Sequence, residues 1–136
     1  MDPNFAYTRL ILGRVYIAKN KFSEAIDELK KARELSGNAV IMAATLGVAY
    51  AVAGKLKEAK GILEELKARS QKQYVSSLWI GNLCGAMGDT DKFFELANKA
   101  YEERSEGLIG IKILPPWAPF HSDPRYKALL KKMGLE

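Results

Sequence analysis

The chain has 136 residues, 48% hydrophobic and 27% charged, enough for one continuous apolar core without disulfide or metal staples. No apolar run reaches the length of a membrane span, and the N-terminus lacks the basic and apolar blocks of a signal peptide. The net charge of +5 comes from 21 basic and 16 acidic residues interspersed as in "EAIDELKKARE", which reads as a mixed-sign solvated helix surface and not as a nucleic-acid footprint. The one cysteine, Cys84, cannot close an internal disulfide, and a single thiol points to a reducing cytoplasm.

In chain order, the opening "MDPNF" pairs a capping Asp2 with Pro3, a residue suited to the first position of a helix. The stretch Leu12 to Ala32, "LGRVYIAKNKFSEAIDELKKA", predicts a helix, a turn at Asn20-Lys21 and a second helix ended by Gly37. The stretch Leu46 to Leu66, "LGVAYAVAGKLKEAKGILEEL", repeats it with the turn at Gly54-Lys55. Leu12, Gly13, Tyr16, Ala25 and Leu29 recur as Leu46, Gly47, Tyr50, Ala59 and Leu63, with the same offset in every pair. A third copy, "IGNLCGAMGDTDKFFELANKA", aligns Ile80-Gly81 with Leu46-Gly47 and turns at Gly88-Asp89. Gly inside a helix costs about 1 kcal/mol against Ala, so its recurrence at 13, 47 and 81 needs a packing reason.

A fixed period of this length is the signature of a helical solenoid. The residues Leu12, Gly13, Tyr16, Ala25 and Ala32, and again Leu46, Gly47, Tyr50 and Ala59, resemble the motif of the tetratricopeptide repeat. The resemblance covers about residues 6–107 and implies an all-α fold, a superhelix of antiparallel helix pairs. The expected division is a junction at 1–5, repeats at 6–39, 40–73 and 74–107, and a degenerate repeat with a capping helix at 108–136. Three positions depart from the motif: Phe93 stands where a small Ala is expected, Cys84 replaces the aromatic, and Leu66 replaces the second Ala. The third unit is therefore expected to pack differently.

Asp-Pro often closes a repeat in this family, so the opening is expected to be a junction after a missing repeat, with the chain the C-terminal part of a longer array. The tail, above all "SDPRYKALLKKMGL", is similar to the last units of arrays in bacterial multidomain signalling proteins, among them nucleotide cyclases, kinases and winged-helix regulators. In the tail, Leu108 to Leu114 is expected to form a short helix broken by Pro115 and Pro116. Trp117 and Phe120 are expected to fold onto the third repeat. Ser122 or Asp123 would cap a helix from Pro124 to about Met133, with Tyr126, Leu129, Leu130 and Met133 as its stripe.

The chemistry-bearing residues form no catalytic set. His121 is the only histidine, with no second ligand at zinc spacing, and Cys84 reads as a buried small apolar residue. "GLIGIK" lacks the glycine spacing of a phosphate loop. No enzyme activity, metal or cofactor is expected.

The resemblance implies a concave groove lined by the first helix of each repeat. It places there Tyr7, Leu10, Arg14 and Ile17, then Ile41, Ala44, Val48 and Val52, then Val75, Leu78 and Asn82. Relatives that clamp a peptide's terminal carboxylate use basic and amide residues; the matching positions here hold Leu10, Arg14, Thr45, Val75 and Trp79, which does not support that clamp.

The expected function is a non-catalytic protein-interaction module offering a largely apolar groove to a peptide or helix, its partner a protein or peptide. The alternative is a regulatory or self-association segment, a possible homo-oligomer, of a signalling enzyme or transcription regulator. Nucleic acid and membrane are not expected partners. Because the tail supplies the apolar cover for repeat three, deleting residues 108–136 is expected to lower melting temperature and soluble yield, and Trp117→Ala to do so less; light scattering and thermal melts check both.

Overall fold

The computed structural model describes residues 3–73, 75–102 and 124–132. These form seven helices, with no strand among the described residues: α1 (Pro3–Ala18), α2 (Phe22–Leu35), α3 (Val40–Val52), α4 (Leu56–Ser70), α5 (Ser77–Ala86), α6 (Thr90–Glu102) and α7 (Pro124–Lys132). The pairs α1–α2, α3–α4 and α5–α6 pack closely, and α3 also packs on α2 and α5. The tail expectations for Leu108 to Asp123 and for Met133, the capping role of Asp2, and His121 lie outside the described residues.

Three turns of one construction join the pairs. The amide of Lys21 donates to the carbonyl of Tyr16, that of Lys55 to Tyr50 and that of Asp89 to Cys84, at 2.8, 2.8 and 2.9 Å. The residue before each donor is left-handed: Asn20 at φ 60°, Gly54 at 83° and Gly88 at 97°. This is a helix-terminating turn that satisfies a carbonyl the helix leaves open. The bonds recur once per repeat, and the helices that follow start in the same phase, at Phe22, Leu56 and Thr90. Helix α7 begins at Pro124, one further period on, so it keeps the phase of a second helix. Its Arg125 pairs with Asp91 and lies 4.7 Å above the Phe94 ring centroid on α6.

The recurring glycines mark where paired helices meet. A Cβ on Gly47 would stand 3.0 Å from the Leu83 methyls and 3.1 Å from Ile62, one on Gly13 would collide with Leu29, and one on Gly81 would stand 3.0 Å from the Cβ of Leu96. Ala25 and Ala59, on the second helices, have no exposed surface. Burying such apolar side chains on one face of each helix gives the array its core, Leu10, Ile17, Leu29, Met42 and Leu66 among its members.

The third unit departs from the first two, as expected from its sequence. Phe93 takes the small-residue position and is wholly buried, edge-on to Phe94 with ring centroids 4.9 Å apart. Leu66 is also fully buried, where α2 has Ala32. The first helix of this unit starts late: Ser76 caps α5 by accepting the Leu78 amide at 3.3 Å. Val75 therefore precedes the helix.

Gly61, on α4, has nothing within 4 Å of a built Cβ. Gly61→Ala should therefore raise stability by up to about 1 kcal/mol through helix propensity alone. Gly47→Leu should lose about 1–3 kcal/mol or more by overpacking, while Lys57→Leu on the exposed start of α4 should change stability by no more than about 0.5 kcal/mol. Denaturant melts of the three variants check this ordering.

Candidate functional site

The first helices α1, α3 and α5 bring the expected groove positions into register, because equivalent positions recur at the period of the repeat. One row is Arg14, Val48 and Asn82; another is Leu10, Ala44 and Leu78. Burial divides them. Leu10, Ile17, Ala44, Val48, Val75 and Leu78 are buried. Tyr7 and Arg14 are exposed, and Ile41, Val52 and Asn82 are half-buried. The side chains presented outward are thus fewer and more polar than an apolar groove requires. The reason is packing: Leu10 and Ile17 belong to the core that includes Leu29 on α2. Val75 sits before α5 because Ser76 caps that helix.

Arg14 carries the row's positive charge. Its pKa is lowered by partial burial, with Tyr7 acting in the opposite direction. A guanidinium remains charged under these conditions, so Arg14 stays a cation at any working pH. At the other end of the row, the Oδ1 of Asn82 is buried without a hydrogen-bond partner. Leaving such an acceptor unpaired costs about 1–3 kcal/mol. Thr45, one of the positions matching the carboxylate clamp, spends its hydroxyl on the Ile41 carbonyl at 2.7 Å, and Leu10 and Val75 are buried.

A second polar cluster, not singled out from the sequence, lies between the second helices. Arg33 on α2 pairs with Glu65 on α4 and donates from Nε to the Asn38 side chain at 2.6 Å. Arg69 adds a second cation 3.7 Å from Glu65. The left-handed residues Gly37 and Asn38, both at φ 68°, turn the chain back over this cluster. With Lys30 and Glu34 they line a shallow cavity of about 390 Å³. The separation of Arg33 from Glu65, 32 residues, is close to the repeat, which is the signal that could have found it. The pairing ties the first unit to the second, with both carboxylate oxygens engaged, while Nη1 of Arg69 is buried without a hydrogen-bond partner.

Cys84 is buried on α5. Burial raises its pKa, Asp89 raises it further, and Lys67 and Lys92 act against the shift. Among the described residues no group of three or more His, Cys, Asp or Glu side chains could hold a metal ion, and no helix is long and apolar enough to cross a membrane.

A family model described as Tetratricopeptide repeat matches residues 16–78, from the end of α1 through α2, α3 and α4 into α5. No curated protein and no solved structure matches the chain.

The raised thiol pKa makes a prediction. Cys84 should resist iodoacetamide at neutral pH in the folded protein and label readily in urea, since the thiolate is the nucleophile. The linkage has a defined sign. A thiol whose folded pKa lies above its unfolded value holds its full contribution to stability below the unfolded pKa, and loses it as pH rises through the folded pKa. Cys84→Ala should therefore flatten the alkaline limb of a stability–pH curve, measured by denaturant melts.

Proposed function

We propose, from the match of residues 16–78 to the tetratricopeptide-repeat family model, that the chain is a non-catalytic protein-interaction module. Tetratricopeptide repeats generally mediate protein–protein interaction. The proposed partner is an extended peptide or a helix lying across α1, α3 and α5. The observation that carries this reading is the Oδ1 of Asn82, buried and without a partner at the end of the row that begins with Arg14. Rotation of the half-buried Asn82 side chain would bring that acceptor to a backbone N–H of a bound peptide, and main-chain hydrogen bonding of this kind is a general mode of peptide capture. Exposed Arg14 would take an acidic group at the opposite end, and exposed Tyr7 would lie against the peptide's apolar side chains.

The buried members of the row serve a different purpose in this proposal. Leu10, Val48 and Leu78 hold the first helices in place, so the recognition surface is preformed and little ordering cost falls on the partner. The cytoplasmic setting, and a parent that is a bacterial signalling protein, rest on the single thiol and the wording of the tail and belong to the same proposal.

Selection from a random peptide-display library, followed by calorimetry on the purified chain, tests it. The expected result is a peptide binding in the micromolar range and weakened about ten-fold or more by Asn82→Leu or by Arg14→Ala, as loss of one hydrogen bond to a buried or charged group implies. Arg33→Ala, on the second-helix side, should leave affinity unchanged. Failure to select any peptide, or binding indifferent to both concave variants, would reject the concave face as the recognition surface.

A further inference from the structure

Between the first and second units, opposite charges meet across the second helices. Arg33 of α2 pairs with Glu65 of α4, and Asn38 holds Arg33 from the side at 2.6 Å. The same two positions recur one unit on. Lys67 of α4 stands one period after Arg33, and Lys99 of α6 one period after Glu65. Helices α4 and α6 start in phase, at Leu56 and Thr90, after turns built alike. Helix α5 packs on α3 and α4, as α3 packs on α2. Lys67 and Lys99 are therefore carried to the second junction as Arg33 and Glu65 are to the first.

What differs is the charge. The first junction has a carboxylate at this position, and the second has another cation. Both lysines are exposed, and neither ammonium has an ion pair. Lys67 reaches toward the third unit, since its charge acts on the Cys84 thiol of α5. Three acids lie one helical turn away in sequence: Glu64 before Lys67, and Glu95 and Glu102 on either side of Lys99. Glu95 is held by Lys92 at 3.4 Å, and Glu102 has an interaction of its own. Lys72 takes the position of Asn38 and is also exposed, but the turn that carries Asn38 is left-handed and its counterpart is not, so the site rests on Lys67 and Lys99.

We propose that this second junction takes a carboxylate from outside the chain, an acidic side chain of a protein partner lying along the second helices and held between the ammoniums of Lys67 and Lys99. The first junction is the precedent, because there a carboxylate in the same place bridges two units. An incoming carboxylate relieves the like-charge contact and supplies the bridge that the second and third units lack among the described residues, so its binding stiffens the array. The neighbouring acids decide the class of partner. Glu64, Glu95 and Glu102 would repel a continuous phosphate backbone, while a single acidic side chain fits between them.

The juxtaposition and the binding are tested separately on the full chain, and neither test involves the concave row. Lys99→Glu recreates the charge pair of the first junction. It should raise the melting temperature by about 1–3 °C at low salt, and the gain should fade in ~1 M NaCl. Adding Lys67→Gln should cancel the gain. Lys31→Glu, the same position on α2, where no earlier second helix lies alongside among the described residues, should give none. For binding, acetyl-triglutamate amide is titrated while the backbone amide signals of residues 67 and 99 are followed by NMR. The expected dissociation constant is on the order of 1 mM, weakened ten-fold or more by Lys99→Glu and unchanged by Arg14→Ala or Asn82→Leu. A Lys99→Glu protein with no gain in stability, or with a gain that survives Lys67→Gln, would overturn the juxtaposition. Triglutamate binding that is absent, or indifferent to Lys99→Glu, would overturn the carboxylate site. Tighter binding of a ten-residue oligothymidylate at the same two signals would overturn the acidic-protein assignment in favour of nucleic acid.

Discussion

The architecture depends on the close approach of two helices at a position where one of them has no side chain. Gly13 against Leu29, and Gly47 against Ile62 and Leu83, set how near the helices can come. The fully buried Ala25 and Ala59 on the second helices likewise add little bulk. Glycine is costly inside a helix, by about 1 kcal/mol relative to alanine, and the dispersion and burial gained by tight packing offset that cost. Once this distance is fixed in one pair, the turn of fixed geometry at Asn20, Gly54 or Gly88 returns the chain at a fixed angle, and the next pair has only one way to stack.

Stacking of this kind is one-dimensional, so each unit leaves a flank to be covered by its neighbour. The flank between the first two units is closed twice over: by apolar contact, as at Met42 and Leu46, and by the ion cluster of Arg33, Glu65 and Arg69. Helix α7 covers the far side at least in part, with Arg125 reaching Asp91 and the Phe94 ring. The α1 flank keeps the apolar composition of an internal surface, which is why it stands out against an otherwise mixed-charge exterior.

The row proposed as the binding face divides between residues that hold the helices and residues left open. A first helix has to present one side to its own partner helix, one to the neighbouring unit and one to a ligand, and its circumference is small. Leu10 and Ile17 are drawn inward with α2, Val48 and Leu78 are buried, and only Tyr7, Arg14 and the edges of Ile41, Val52 and Asn82 remain. The exposed part of that row is for that reason more polar than the row as a whole.

The helix pairs, their constant spacing, the three turns and the close contacts at the glycines were legible in the sequence, because each is a local requirement written at a fixed position: a left-handed residue where a helix must end, or a missing side chain where two helices touch. The start of α7 at Pro124 was legible for the same reason, from a capping pair and a proline. The division of the groove row into buried and exposed members was not, since Leu10 and Ile41 are equally apolar in sequence and differ only in what packs over them. Nor was the unpaired Asn82 oxygen, which depends on every neighbour failing to supply a donor, or the Arg33–Glu65 pairing, which depends on the angle between two units. The sequence by itself determined the period and the local geometry; the tertiary structure decided which faces were left open, because burial is a property of the neighbours a residue meets and not of the residue.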